Sequence, residues 1–154
     1  GVMEAALRSV LEFITGLKVE DIYEHADIVP VRGFEGIKLL EIQVLEDAYY
    51  EDGDPIKLKD YQHHGSIYGV VPAKTGHLKP AGQWNDQEIV CDGRHVKVTL
   101  NGTVIVDADL DKVTPIDGAE HPGLKYTKGH LGLHAHGNYG AEVFFRNLRV
   151  KELD

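Results

Sequence analysis

HVKVTLNGTVIVDA, residues His95 to Ala108, decides how the rest of the chain is read. Two runs of alternating polar and β-branched residues meet at Asn101-Gly102, a dipeptide suited to the positive φ angles of a two-residue type I′ turn. The stretch predicts a β-hairpin. Outward from it, from Ile37 onward, short segments rich in Val, Ile, Thr and Tyr are separated by Gly, Pro, Asn and Asp, the punctuation of an all-β domain. Strands are expected at Lys38–Leu45, Ser66–Val71, Gln87–Cys91, Val96–Leu100, Thr103–Ala108, His130–His136 and Val143–Glu152. With no helical pattern between them, these favour two packed antiparallel sheets over a βαβ arrangement. The stretch from Asp107 to Lys128, with Pro115, Asp117-Gly118 and Pro122-Gly123, reads as a long surface loop, a kind of segment that often carries function.

The N-terminal region has a different texture. Met3, Ala6, Leu7, Val10, Leu11 and Ile14 recur at spacings of three and four, which predicts an amphipathic helix ending near Gly16. Glu4, Arg8 and Glu12 interrupt Met3–Leu17, so this segment does not read as a signal peptide, and no run is long and apolar enough for a membrane span. At 154 residues the chain fits one domain. Sixteen Lys and Arg against 25 Asp and Glu leave a formal charge of −9, which opposes attraction to nucleic acid or an anionic membrane. Cys91 is the single cysteine, so no intrachain disulfide forms, and its alternating apolar surroundings predict an inert core thiol.

Several stretches hold residues able to do chemistry. In GHLGLHAHGN, Gly129 to Asn138, a strand would set His130, His134 and His136 on one face and Leu131, Leu133 and Ala135 on the other. Imidazoles on a shared face can ligate a metal or pass protons, and equally can line a solvated surface. Glu41 and Gln43 alternate with Ile42 and Val44 in the same way. Tyr61-Gln62-His63-His64-Gly65-Ser66-Ile67-Tyr68-Gly69 concentrates histidines, tyrosines and small residues in a turn entering a strand. Trp84, in Lys79-Pro80-Ala81-Gly82-Gln83-Trp84-Asn85, is expected to anchor the core, with sugar stacking as its other use. The nucleophile elbow, the phosphate-binding loops and the HExxH metal motif are missing, and no strand offers the paired carboxylates of a two-acid glycosidase.

Five blocks in order, Glu41-Ile42-Gln43-Val44-Leu45, Gly65-Ser66-Ile67-Tyr68-Gly69, Lys79 to Asn85, Val98-Thr99-Leu100-Asn101-Gly102 and Phe145-Arg146-Asn147-Leu148-Arg149-Val150, resemble the 3-keto-disaccharide hydrolase family. The resemblance runs from about Phe34 to Leu153. It implies a concanavalin A-like jelly-roll sandwich at residues 34–154, with residues 1–33 as an atypical segment packed on or swapped from the domain. The family's Asn-Ser-Gly element ahead of the Glu41 strand has no counterpart between Gly1 and Gly33. The resemblance further implies a bacterial, periplasmic or extracellular enzyme acting on glycosides already oxidised at C3, by C2 deprotonation, elimination and hydration. Hydrolase and lyase outcomes both follow from that chemistry.

By the same resemblance, Glu41, His64 and His136 are the expected catalytic residues. Gln43, Tyr68, Lys79, Arg146 and His134 are the expected substrate-binding residues. Glu41 and His136 are the candidate ligands of one divalent metal ion, and no organic cofactor is expected. The expected partner is a carbohydrate, with no nucleic acid and no membrane span, and a homo-oligomer is compatible. Two other uses of the same sandwich are a non-catalytic carbohydrate-binding module and an assembly subunit docking through its N-terminal helix.

Overall fold

The computed structural model describes residues 40–47, 50–51, 54–127, 131–133 and 143–153. The expected N-terminal helix, the segment 1–33 and the His130–His136 strand, apart from residues 131–133, lie outside them. The chain divides into two compact units, Glu35–Thr127 and a second made of Gly1–Phe34 with Lys128–Asp154.

The architecture is all-β, with no α-helix among the described residues. In the Glu35–Thr127 unit, strands β1 (Tyr50–Glu51) and β2 (Asp54–Pro55) form a short antiparallel ribbon. Strands β3 (Gln87–Asp92), β4 (His95–Leu100) and β5 (Thr103–Asp109) form a three-stranded antiparallel meander. Asn101 and Gly102 turn the β4–β5 hairpin at φ 50° and 84°, with Leu100 opposite Thr103, as the sequence predicts.

One residue changes the phase of that hairpin. Thr99 pairs with Val104, yet Val98 pairs with Val106, so Ile105 is an extra residue on β5, a β-bulge. Without it, the buried face of β4, which carries Val96, Val98 and Leu100, would continue across β5 onto Thr103, Ile105 and Asp107. With it, Val106 and Ala108 take the core face, Ile105 is buried as well, and Asp107 faces solvent. There Asp107 Oδ1 pairs with His95 Nε2 at 2.6 Å. The bulge keeps a carboxylate out of the core, where an unpaired charge is strongly unfavourable. The carbonyl of Ile105 is satisfied by the N–H of Lys74 at 3.0 Å.

Ile67, Val70, Ala73 and Leu110 complete the core, with Leu40, Ile42, Val71, Leu78, Val113 and Leu124 packed against it. Ser66 is fully buried, and its Oγ accepts the N–H of Ala73 at 2.9 Å. Each fully buried Val, Leu or Ile side chain contributes about 1.5–3 kcal/mol, so the hairpin and the segment around Ile67 together dominate the unit's stability.

Three expected strands differ. Ser66–Val71 folds on itself: the N–H of Ile67 donates to Val71 O at 3.0 Å, and the N–H of Val71 returns to Ile67 O at 2.9 Å. Leu40–Leu45 is reduced to a single bridge, Ile42 to Ile67. Residues 143–153 hold no strand; Asn147 sits at φ 54°, a left-handed conformation that interrupts an extended run. Cys91 is exposed rather than in the core, although partial burial of its thiol still pushes that group up from its ordinary value. Trp84 is 42% exposed and does not anchor the core.

Gly65 is where the two halves of the core meet. Its φ is +81°, and a Cβ there would land inside the van der Waals radius of Ile105 Cδ1 and close to Val98 Cγ1. Replacing Gly65 with Ala therefore combines left-handed strain with overpacking, each about 1–3 kcal/mol. Gly65→Ala is expected to lower the urea midpoint markedly. Ile105→Val, which deletes the obstructing methyl, is expected to recover part of that loss in the double variant, giving a non-zero coupling in a double-mutant cycle.

Candidate functional site

The segment carrying Glu41 and Gln43 is held by the turn carrying His64 and Tyr68. The N–H of Tyr68 donates to Glu41 O at 2.9 Å, the N–H of Gln43 to Ser66 O at 2.9 Å, and the N–H of Gly65 to Gln43 O at 2.8 Å. Around the Ile42–Ile67 bridge the antiparallel register sets Glu41 across from Tyr68 and Gln43 across from Ser66. Residues directly opposite share a face. Because Ile42 packs on the core, Glu41 and Gln43 occupy the other face, and both are half-buried. Glu41 and Tyr68, distant in sequence, are thus brought together by backbone pairing, as are Gln43 and Ser66; the groups interacting with the His64 ring are Gln87, Asp47 and the Leu45 backbone.

The Tyr68 hydroxyl lies 3.4 Å from Gln62 Nε2, which donates to it, and its ring meets Tyr61 edge-on at 5.5 Å. Lys59 Nζ lies 5.6 Å from the centre of the Tyr61 ring. Its hydrogen bond and charge interaction with Tyr61, then the charges of Tyr68 and Asp117, raise Lys59 above its ordinary value. Lys57, Leu58, Lys59, Asp60, Tyr61 and Ile116 line an open cavity of about 410 Å³ at this place.

The loop that the sequence marks as a candidate for function holds an acid–imidazole pair that sequence alone does not distinguish. Asp117 and His121 sit against Gly69, with Asp117 Oδ2 2.9 Å from His121 Nε2. Their side chains are only 11% and 17% exposed. The second carboxylate oxygen, Oδ1, accepts the N–H of Ala119 at 3.0 Å. That backbone bond first, and His121 after it, hold Asp117 below the usual carboxylate range. The loop is fixed where it carries the pair: the N–H of Ile116 donates to Gly69 O at 2.7 Å. Arg94 ties both ends, through Asp111 Oδ1 at 2.9 Å and the Tyr126 carbonyl at 3.4 Å. The signal in the sequence was an acid and an imidazole four apart inside a Gly- and Pro-rich loop.

Of the other expected site residues, Lys79 is exposed, and its ammonium donates to the Trp84 carbonyl at 2.9 Å, closing the 79–85 loop on itself. Asn85 Oδ1 accepts from the Lys79 N–H at 2.9 Å and from Asn101 Nδ2 at 2.8 Å, fastening that loop to the hairpin turn. Arg146 is exposed in the second unit. His134 and His136 lie outside the described residues. Among the described residues no group of three His, Cys, Asp or Glu is placed to hold a metal ion. His63 Nδ1 approaches Asp47 Oδ1 at 3.8 Å, too far for a hydrogen bond, and is buried without a partner.

His64 Nε2 is likewise buried and unpartnered. Burial pushes this imidazole below its ordinary value of 6.5, only partly opposed by Gln87, Asp47 and the Leu45 backbone. The folded protein therefore keeps His64 neutral in a pH range where the unfolded chain already binds a proton. Its contribution to stability is complete above about pH 6.5 and is lost as pH falls from there toward the lowered folded value. Urea midpoints measured from pH 8 to pH 5 should fall less steeply for His64→Gln than for the parent protein.

The sequence matches the model of the 3-keto-alpha-glucoside-1,2-lyase-like domain over residues 29–151. It is 28% identical over 131 residues to a 3-keto-disaccharide hydrolase of Bacteroides thetaiotaomicron, a match covering 74% of this chain and 44% of that protein. The chain thus spans less than half the length of this curated relative. A solved structure described provisionally as a glycosyl hydrolase, from Parabacteroides distasonis, is 38% identical over 35% of this chain and 28% of its own, with a TM-score of 0.34. No helix among the described residues is long and apolar enough to cross a membrane. A family match across most of the chain, agreeing with the order of its sequence blocks, is decisive: the chain belongs to the 3-keto-alpha-glucoside-1,2-lyase-like domain family.

Proposed function

We propose that this chain cleaves 3-keto-glycosides, including 3-keto-disaccharides, within a concanavalin A-like jelly roll of a bacterial protein acting in the periplasm or outside the cell. The observation that carries the reading is the family match over residues 29–151; the name of the Bacteroides relative, a 3-keto-disaccharide hydrolase, supports it. A ketone at C3 acidifies the hydrogen on C2, so a positioned base can remove it and the C1 substituent can leave from the enolate. Water then adds across the resulting enone to complete hydrolysis.

In this reading Glu41 takes the C2 proton and returns one to C2 when water adds. Gln43 and the Tyr68 hydroxyl donate hydrogen bonds to the sugar, the latter to the oxygen on which enolate charge grows. His64, whose charged form burial disfavours, is assigned to proton transfer in the same reading. The pairing of the Glu41 segment with the Gly65–Tyr68 turn supports this division, since it sets a carboxylate and a phenol on one face. Glu41 and His136 are the residues that would hold one divalent ion in this reading, where it would stabilise the enolate oxygen, and the steps above are carried by the chain's own residues.

Incubation with a 3-keto-glucoside is expected to release the alcohol, whereas the unoxidised glucoside is expected to persist. Glu41→Gln should lower kcat by about 10²-fold or more. The absence of release by folded protein overturns the reading, and turnover unchanged by a chelator would remove the metal from it.

A further inference from the structure

We infer that His121, oriented by Asp117, exchanges the proton of the leaving-group oxygen during this cleavage. The assignment rests on the elimination reading above and adds to it a group directed at the leaving oxygen, a role given there to neither Glu41 nor His64. Glu41 can remove and return the C2 proton, but an alkoxide or a sugar oxygen departs poorly unless a second group protonates it.

The geometry places a suitable group next to the paired segments. Tyr68 is held opposite Glu41, and the next residue, Gly69, packs directly on Asp117 and His121. The Asp117 carboxylate takes the hydrogen on His121 Nε2, which leaves Nδ1 as the nitrogen that gains and loses a proton. The carboxylate is itself fixed by the Ala119 N–H, and both side chains are largely shielded from water, so the ring holds one orientation. Ile116, one residue before Asp117, lines the cavity of about 410 Å³ together with Lys59 and Tyr61.

The proton and electron balance closes. Glu41 takes the C2 hydrogen as the C–H pair forms the enolate. The enolate collapses to a C1=C2 bond, the C1–O bond breaks, and the proton on His121 Nδ1 passes to the leaving oxygen. Neutral His121 then takes a proton from the water adding at C1 while Glu41 returns its proton to C2. The net change is one water consumed, without oxidation or reduction. His121 is the catalytic residue in this scheme, and Asp117 is a positioning residue.

The test compares two 3-keto-glucosides, one releasing 4-nitrophenolate, which leaves without a proton, and one releasing methanol, which needs one. His121→Ala is expected to slow release of methanol by about 10²-fold or more while leaving release of nitrophenolate within about threefold. Added imidazole is expected to restore part of the methanol reaction. Asp117→Asn should show the same selectivity to a smaller extent, and His121→Asn, closer in shape to the parent, guards against a variant that fails to fold. Equal losses on both substrates reveal a structural role and overturn the assignment, as does no loss on either. A parent protein that cleaves neither substrate overturns the elimination reading together with this assignment. A parent that cleaves both, with variants showing no leaving-group dependence, overturns the assignment alone.

Discussion

The unpaired residue Ile105 is the constraint on which the described core of this fold depends. A two-residue turn fixes which residues of β4 and β5 face each other, and an uninterrupted ladder from that turn would bury Asp107. One extra residue reverses the alternation partway along β5, so Val106 and Ala108 enter the core and the carboxylate reaches water and His95. The same residue fills the space left by the missing side chain of Gly65, and its carbonyl receives the Lys74 N–H. Hairpin phase, core packing and the path of the Gly65 turn are therefore solved by one insertion.

From Gly65 the constraint passes to the candidate site. The Gly65–Gly69 turn is pinned on one side by Ile105 and on the other by the 110–127 loop, whose Ile116 N–H reaches Gly69. Because the turn itself cannot move freely, the segment it pairs with is held in register, and Glu41 and Gln43 are presented on the face away from the core. Precision at a site comes from supports of this kind more than from the reacting groups themselves.

What could be read from the sequence follows the range of the interactions involved. The Asn101-Gly102 hairpin and the bounds of β3, β4 and β5 were legible within a residue or so because turn chemistry and alternation are local. The bulge was not, since it answers to a conflict between turn register and the burial of Asp107 that appears only once the strands are paired. Ser66–Val71 looked like a strand because a short apolar run carries no sign of folding back on itself. Glu41 and Tyr68 were picked out separately, and their pairing needed the fold. Asp117 and His121 were hidden for another reason: an acid and an imidazole in a polar loop acquire meaning only from the glycine against which they close. Lys79 and Trp84 stand out in the sequence for their type, and only the fold shows the Lys79 ammonium reaching the Trp84 carbonyl within the loop that carries both.

The contact between Gly69 and the Asp117–His121 pair also has a bearing on how such chains diverge. Any side chain at position 69 would occupy the space of both partners, so the three positions are sterically coupled. A larger residue at 69 can be accommodated only if Asp117 or His121 moves, so a substitution there is tolerated only together with a change at 117 or 121. The backbone bond from Ile116 to Gly69 and the Arg94 contacts do not depend on that side chain, so the loop would keep its ends while its polar pair is lost.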